Sequence, residues 1–193
     1  MNASTTRSLW LPVALAAAAL AWRVAKLKFG VADVIPNFAP WMALAFAGSI
    51  VMPRTLPWWL WPALLIGCDV AISTGSMSEM WLVYACYGIA AVIGSNLRGR
   101  AGVMQTMLGT AVGSIAFYVL TNTQAWFVDP AYAKTLAGWF QCQTVGDLVH
   151  QPQSWMFLVR ALLSDMAFAA LLVAAYNTEA SLRQAPAMRL AAA

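Results

Sequence analysis

The amino-acid sequence predicts an all-α protein, an integral membrane bundle of six transmembrane helices. Hydrophobic residues make up 62% of its 193 residues and charged residues only 9%, whereas a soluble domain carries about 25% charged residues. Six apolar runs are separated by proline, glycine and polar residues, and one helical crossing takes roughly 20 residues. Six crossings would occupy most of the chain, so we expect a single transmembrane domain over residues 1–193.

The six apolar runs should each form a helix, because backbone polar groups in lipid need partners within their own segment. Most tryptophans fall near the ends of these runs, which is typical of the aromatic belts at membrane interfaces. The second run is short, and we expect it to be tilted or extended by its neighbours. The runs lie at about 9–27, 40–52, 58–74, 80–95, 102–122 and 155–176.

The fifth connection, residues 123–154, is the only long one. Asp129-Pro130 resembles a helix N-cap followed by proline at the first helical position. Leu136, Trp139 and Phe140 then follow at helical spacing. We therefore expect a long outer loop that carries a short interfacial or re-entrant helix.

Orientation follows from the distribution of basic residues. With six spans, one side of the membrane holds Arg7, Arg54, Arg98, Arg100, Arg183 and Arg189, with Glu179 as its only acid. The other side holds Lys26, Lys28 and Lys134 against Asp33, Glu79, Asp129 and Asp147. The positive-inside rule therefore predicts that both termini are cytoplasmic.

An alternative for the first run is a cleavable signal peptide. Arg7 precedes the apolar stretch 9–21, which ends in alanines and is within signal-peptide length. The run continues through Trp22, Val24 and Leu27, however, and an inserted first span explains the charge pattern.

Charged side chains inside spans are costly and often functional, so they are the natural candidates for a binding site. Arg23, Asp69, Arg160 and Asp165 qualify. Asp69 and Arg160 lie at matched depth with opposite sign, which predicts an ion pair between them. Asp165 then needs another partner: Arg23, a polar side chain, water or its own proton. The four would converge on an outward-facing cavity, or else the ion pairs simply hold the bundle together while Arg23 snorkels to the surface.

Uncharged candidates lie at similar height or in the outer loop above. Asn122, at the end of the fifth run, is either a cavity residue or a helix cap. Asn37 and Phe38 stand between Pro36 and Pro40 in the first outer loop, and two prolines stiffen such a loop, although they also serve as helix punctuation.

Two pairs of small residues are candidates for partner docking. They are Ala14 with Ala18, and Gly109 with Gly113. Small residues four apart let helices approach closely, within the bundle or between subunits.

Signatures of catalysis are missing, so we expect no enzyme activity, no cofactor and no metal. The only histidine is His150, and the sequence contains no zinc-protease, nucleophile-elbow or nucleotide-binding motif. The basic residues flank apolar runs and do not form a nucleic-acid surface.

Three stretches together carry a resemblance: residues 36–48, residues 122–138 and residues 160–165. They resemble an uncharacterised family of bacterial six-span membrane proteins, a domain of unknown function. That family is similar to the substrate-binding S components of energy-coupling-factor transporters. Ala133 departs from the pattern, which has proline there.

The resemblance implies an S-component-like fold in the bacterial inner membrane and a small polar nutrient as ligand. It implies Asn37 and Phe38 in a lid, Ala14 and Ala18 on a face that docks a transmembrane coupling subunit driven by ATPases, and Asn122, Arg160 and Asp165 in the cavity. The alternative is a structural or accessory subunit of a larger membrane complex.

Overall fold

The computed structural model describes residues 10–29, 39–72, 80–147 and 153–191, and these residues form seven helices and no strand. The prediction of an all-α chain is confirmed. The helices are α1 (Leu11–Phe29), α2 (Trp41–Val51), α3 (Leu60–Ile72), α4 (Trp81–Asn96), α5 (Val103–Val128), α6 (Leu136–Gln143) and α7 (Ser154–Leu182).

Two helices, α5 and α7, are long and apolar enough to span a membrane. Only 22% of the apolar window of α5 and 33% of that of α7 is buried inside the bundle. A core helix of a soluble protein of the same composition would be mostly buried, because its apolar surface would otherwise face water. The outward apolar faces of α5 and α7 therefore favour a membrane protein.

The shortest of the apolar helices, α2, is the centre of the bundle. Every residue from 42 to 52 is buried, and the middle of α2 contacts α1, α3, α4, α5 and α7. The segment Leu44–Gly48 is π-helical, a local widening that costs stability in isolation and is usually held by its surroundings. A helix that is apolar all round, as the sequence of α2 nearly is, is expected to be buried.

Glycines in the neighbouring helices make room for this central helix. A Cβ on Gly94 of α4 would lie under 3.0 Å from the carbonyl oxygen of Phe46, and one on Gly109 of α5 would overlap the Phe46 ring. A Cβ on Gly113 would lie 3.0 Å from the sulfur of Met42. Gly109 and Gly113 thus serve a contact inside the bundle, which corrects their assignment to partner docking.

Side chains of opposite charge, Asp165 from α7 and Arg98 from the turn after α4, lie at the two ends of α2. At its N-terminus the amide of Ala43 donates to Oδ1 of Asp165 at 2.9 Å. At its C-terminus Nε of Arg98 donates to the carbonyl of Ser49 at 2.8 Å, and Nη1 donates to Pro53 and Leu56 at 2.9 and 3.1 Å. An anion at the N-terminus and a cation at the C-terminus both complement the helix dipole.

Replacing Arg98 with lysine should lower the free energy of unfolding by about 1–2 kcal/mol, because a single ammonium cannot reproduce the guanidinium fork to three carbonyls. The exposed Arg100, two positions further on in the same turn, provides the matched control. Arg100→Lys should be neutral in the same thermal unfolding measurement in detergent. Equal stability of the two variants would contradict the capping role of Arg98.

The helix in the long loop begins later than Asp129-Pro130 suggests. Asp129 instead closes a turn, in which its Oδ1 accepts from the amide of Ala131 at 2.9 Å. The N-cap is Thr135, whose Oγ1 accepts from the amide of Gly138 at 3.2 Å.

In α6, burial raises the pKa of the Cys142 thiol, so the thiol stays protonated at neutral pH.

Candidate functional site

Two of the four embedded charges meet in the structure: Arg23 of α1 and Asp69 of α3. The Nη2 and Nε atoms of Arg23 both donate to Oδ1 of Asp69, the latter at 3.2 Å. The two side chains are 17% and 7% exposed. The pair is therefore largely shielded from its surroundings, which strengthens the attraction between the charges.

The predicted ion pair between Asp69 and Arg160 is wrong. Helix α3 packs against α1, α2 and α4, whereas α7, which carries Arg160, packs chiefly against α5, α2 and α1. Matched depth is not sufficient when two helices are not neighbours. Among the described residues, Arg160 forms no ion pair.

Two aromatic residues that sequence reasoning missed complete the arrangement around Arg23 and Asp69. The guanidinium carbon of Arg23 lies 4.7 Å from the ring centroid of Trp41, within cation–π range. The hydroxyl of Tyr84 donates to Oδ2 of Asp69 at 3.2 Å. We call Arg23, Trp41, Asp69 and Tyr84 the polar cluster.

The polar cluster joins four helices at one end of the bundle. Arg23 and Asp69 lie near the C-terminal ends of α1 and α3, while Trp41 and Tyr84 lie in the first turns of α2 and α4. In the sequence, Trp41 and Tyr84 stand at the starts of apolar runs. That position indicates that they lie at the same end of the bundle as Arg23 and Asp69. The sequence did not single out Trp41, because a tryptophan of the interfacial aromatic belt is expected at the same position.

Asp165 has a different role from the other charges. Its side chain accepts from Oγ of Ser114 at 2.6 Å as well as from the amide of Ala43, and the residue is only 2% exposed. One of the expected kinds of partner for Asp165 is present, a polar side chain, that of Ser114. The backbone amide of Ala43 is a second partner that was not expected. Asp165 therefore anchors the start of α2 against α5 and α7.

The remaining predicted cavity residues are not brought together. The side-chain amide of Asn122 donates to the carbonyl of Tyr118, four positions earlier in the same helix, at 2.9 Å. Because α5 continues to Val128, Asn122 does not cap the helix end either. Asn37 and Phe38 lie outside the described residues. Asp69, Arg160, Asp165 and Asn122 thus have separate surroundings in the described part of the chain.

A half-open apolar cavity of about 170 Å³ lies beside the polar cluster, between α1 and α7. Trp41 belongs to both, because its ring lines the cavity and also contacts Arg23. None of the predicted charged residues lines this cavity. Its walls are Leu15, Ala18, Ala19, Trp22, Pro40, Trp41, Phe168 and Leu171.

The small residues of α1 are divided between the core and the outside. Ala16 and Leu20 are buried, and Ala14 and Ala18, together with Ala17 and Ala21, are exposed. The predicted docking residues Ala14 and Ala18 therefore lie on an outward strip of small side chains, and Ala18 also lines the cavity.

Comparison with known proteins places the chain in a family. No curated protein and no solved structure matches it. The profile of a family of unknown function, DUF6580, matches residues 3–188, which is nearly the whole chain. The chain therefore belongs to the DUF6580 family of unknown function.

Proposed function

We propose that this protein is a six-span subunit of the bacterial inner membrane that captures a small polar nutrient for uptake, similar to an S component of an energy-coupling-factor transporter. Helices α1 to α5 and α7 would be the spans, with both termini in the cytoplasm. The proposed role is binding and not catalysis. The resemblance in residues 36–48, 122–138 and 160–165 and the outward apolar faces of α5 and α7 support it.

The observation that carries the proposal is the polar cluster. Arg23 and Asp69 come from different helices and meet at the end predicted to be outer, where 17% of the Arg23 side chain is exposed and Asp69 is buried. Embedded ionisable groups are expensive, and in membrane proteins they frequently mark the path or site of a solute. The cluster differs from the site predicted by sequence in that Arg23 replaces Arg160 as the partner of Asp69.

The cavity beside Trp41 indicates what kind of solute fits. An enclosed void of about 150 Å³ with apolar walls admits a molecule the size of benzene. The cavity here, which is open on one side, has a similar volume of about 170 Å³ and has room for one small ring or a short branched chain. Trp41 connects this space to Arg23. The favoured ligand has a compact apolar part that lies against Trp41 and an anionic group that competes with Asp69 for the guanidinium.

Transport would need partners that this chain lacks. The outward strip with Ala14 and Ala18 on α1 is the proposed docking face for a transmembrane coupling subunit, since small side chains allow close helix approach. ATPases would act through that subunit.

Purification of the full chain in mild detergent, followed by mass spectrometry of the extracted small molecules, tests the proposal. Arg23→Gln should reduce the retained small molecule at least about tenfold, because it removes the charge-assisted hydrogen bond to the anionic group. Asp69→Asn removes the competing carboxylate and should not reduce retention. Arg160→Gln is the matched control and should retain it. Loss in the Arg160 variant alone would instead support the cavity predicted from sequence.

A double variant separates a binding role from a merely structural one. Replacing both Arg23 and Asp69 with leucine removes the two charges together, and such replacements of buried pairs are often neutral for stability. The double variant should therefore fold and yet lose the small molecule. Retention of the molecule by a folded double variant would overturn the capture proposal.

The second candidate, a structural or accessory subunit, is favoured by one observation: Arg23, Asp69 and Asp165 all have partners inside the chain. If the protein is a structural or accessory subunit, the double leucine variant should keep its protein partners and its cellular role. Quantitative co-purification distinguishes the two, since transporter ATPases support capture and stoichiometric non-transporter proteins support the alternative.

A further inference from the structure

Three exposed arginines gather at the end of the bundle opposite the polar cluster. Arg54 lies in the turn between α2 and α3, Arg100 in the turn between α4 and α5, and Arg189 in the tail after α7. The tail is held beside the second of these turns, because the amide of Val103 donates to the carbonyl of Arg189 at 2.7 Å. We call Arg54, Arg100 and Arg189 the arginine patch.

Arg98 holds the turn that contains Arg54 against the turn between α4 and α5. The guanidinium of Arg98 bonds the carbonyls of Pro53 and Leu56, on either side of Arg54. A Cβ on Gly99 would lie 3.2 Å from Nη2 of Arg54, so the Arg54 guanidinium covers that glycine. Burial lowers the pKa of Arg98, and the nearby charge of Arg54 lowers it further. The two turns are therefore fixed side by side.

The positive charge of the patch is not balanced within the described residues. Glu179 is the acid at this end, and its carboxylate already accepts from the amide of Leu11 at 2.6 Å and pairs with Arg183 at 2.7 Å. In the described ranges no carboxylate pairs with Arg54, Arg100 or Arg189. An anion from outside the chain is the natural counter-charge.

Aromatic residues indicate where this anion lies. Trp58 and Trp59, just after Arg54, are 45% and 52% exposed. Tryptophan concentrates at the depth of lipid headgroups, and arginine forms bidentate hydrogen bonds with phosphate. An arginine patch with exposed tryptophans beside it therefore matches a membrane surface, where the phosphates face the arginines and the boundary with the acyl chains accommodates the indole rings.

We propose that Arg54, Arg100 and Arg189 bind the headgroup phosphates of anionic phospholipids. The proposal rests on the membrane placement proposed above and is independent of solute capture. Each basic side chain near an anionic surface contributes about fivefold in affinity, hence roughly 100-fold for the three together. Because the phosphates are exposed, the binding should weaken with rising salt.

The test uses the full chain in neutral detergent, with phosphatidylglycerol or phosphatidylcholine added and retained lipid counted by native mass spectrometry. The wild-type chain should retain phosphatidylglycerol preferentially. The triple variant Arg54→Gln/Arg100→Gln/Arg189→Gln should lose roughly 100-fold of this preference, and Arg100→Gln alone about fivefold. Lys28→Gln, an exposed cation near the other end of α1, is the control and should change nothing.

Three results would overturn the proposal. The first is equal phosphatidylglycerol retention in the wild-type chain and a folded triple variant. The second is displacement of the lipid by inorganic phosphate at matched ionic strength, which would make the patch a site for free phosphate. The third is loss of an acidic protein partner with unchanged lipid retention. Small-molecule retention, measured on the same samples, should be normal in the triple variant, so failure of solute capture would be recognised separately.

Discussion

Replacement of Gly94 with alanine should lower the free energy of unfolding by about 3 kcal/mol or more, at the upper end of what overpacking of a core costs. The new methyl group would meet the carbonyl oxygen and carbonyl carbon of Phe46 and the Cβ of Ser49. Two of these atoms belong to the backbone of α2, which cannot rotate away as a side chain can. Either α4 must move off the central helix or the π-helical segment must rearrange.

Thermal or denaturant unfolding in detergent measures this effect, with Gly88→Ala as the control in the same helix. A Cβ on Gly88 meets nothing within 4 Å, and alanine is favoured over glycine in helices by up to about 1 kcal/mol. Gly88→Ala should therefore be neutral or stabilising. If Gly94→Ala is as stable as Gly88→Ala, the close contact between α4 and α2 is wrong.

Asp165→Ala should cost roughly 2–3 kcal/mol of stability, because it leaves the buried amide of Ala43 without an acceptor. Ser114 is less affected, since its hydroxyl also lies 3.0 Å from the carbonyl of Thr110. Asp165→Asn keeps a side-chain oxygen for the amide of Ala43 and should lose clearly less than the alanine variant. Ser164→Ala, which removes only a hydrogen bond within α7, is the neighbouring control.

The order of these variants distinguishes the two roles considered for Asp165. An anchor of α2 requires an acceptor more than a charge, so stability should follow aspartate, then asparagine, then alanine. A residue that binds a cationic solute requires the charge, so asparagine and alanine should then impair solute retention equally while stability changes little. Unfolding and retention measured together on the three proteins therefore show whether Asp165 belongs to the fold or to a site.

Sequence alone was sufficient to predict an all-α chain and to single out the charged residues that have partners in the structure. Low charge content and long apolar runs predict helices, because in apolar surroundings the backbone N–H and C=O groups find hydrogen-bond partners only within their own segment. Arg23, Asp69 and Asp165 stand out for the same reason, since an ionisable group in an apolar run needs a partner. The arginines of the patch also stand out in the sequence, because they lie between or after the apolar runs.

The tertiary structure decided which helix faces inward and which charges meet. In a water-soluble helix the polar side marks the surface, but here the outward faces of α5 and the buried faces of α2 are both apolar, so no periodicity separates them. For that reason the sequence did not show that α2 is central, that Gly109 and Gly113 face Phe46 and Met42, or that α3 lies beside α1. The partner of Asp69 depends on that last contact, because ion pairing needs adjacent helices as well as equal depth.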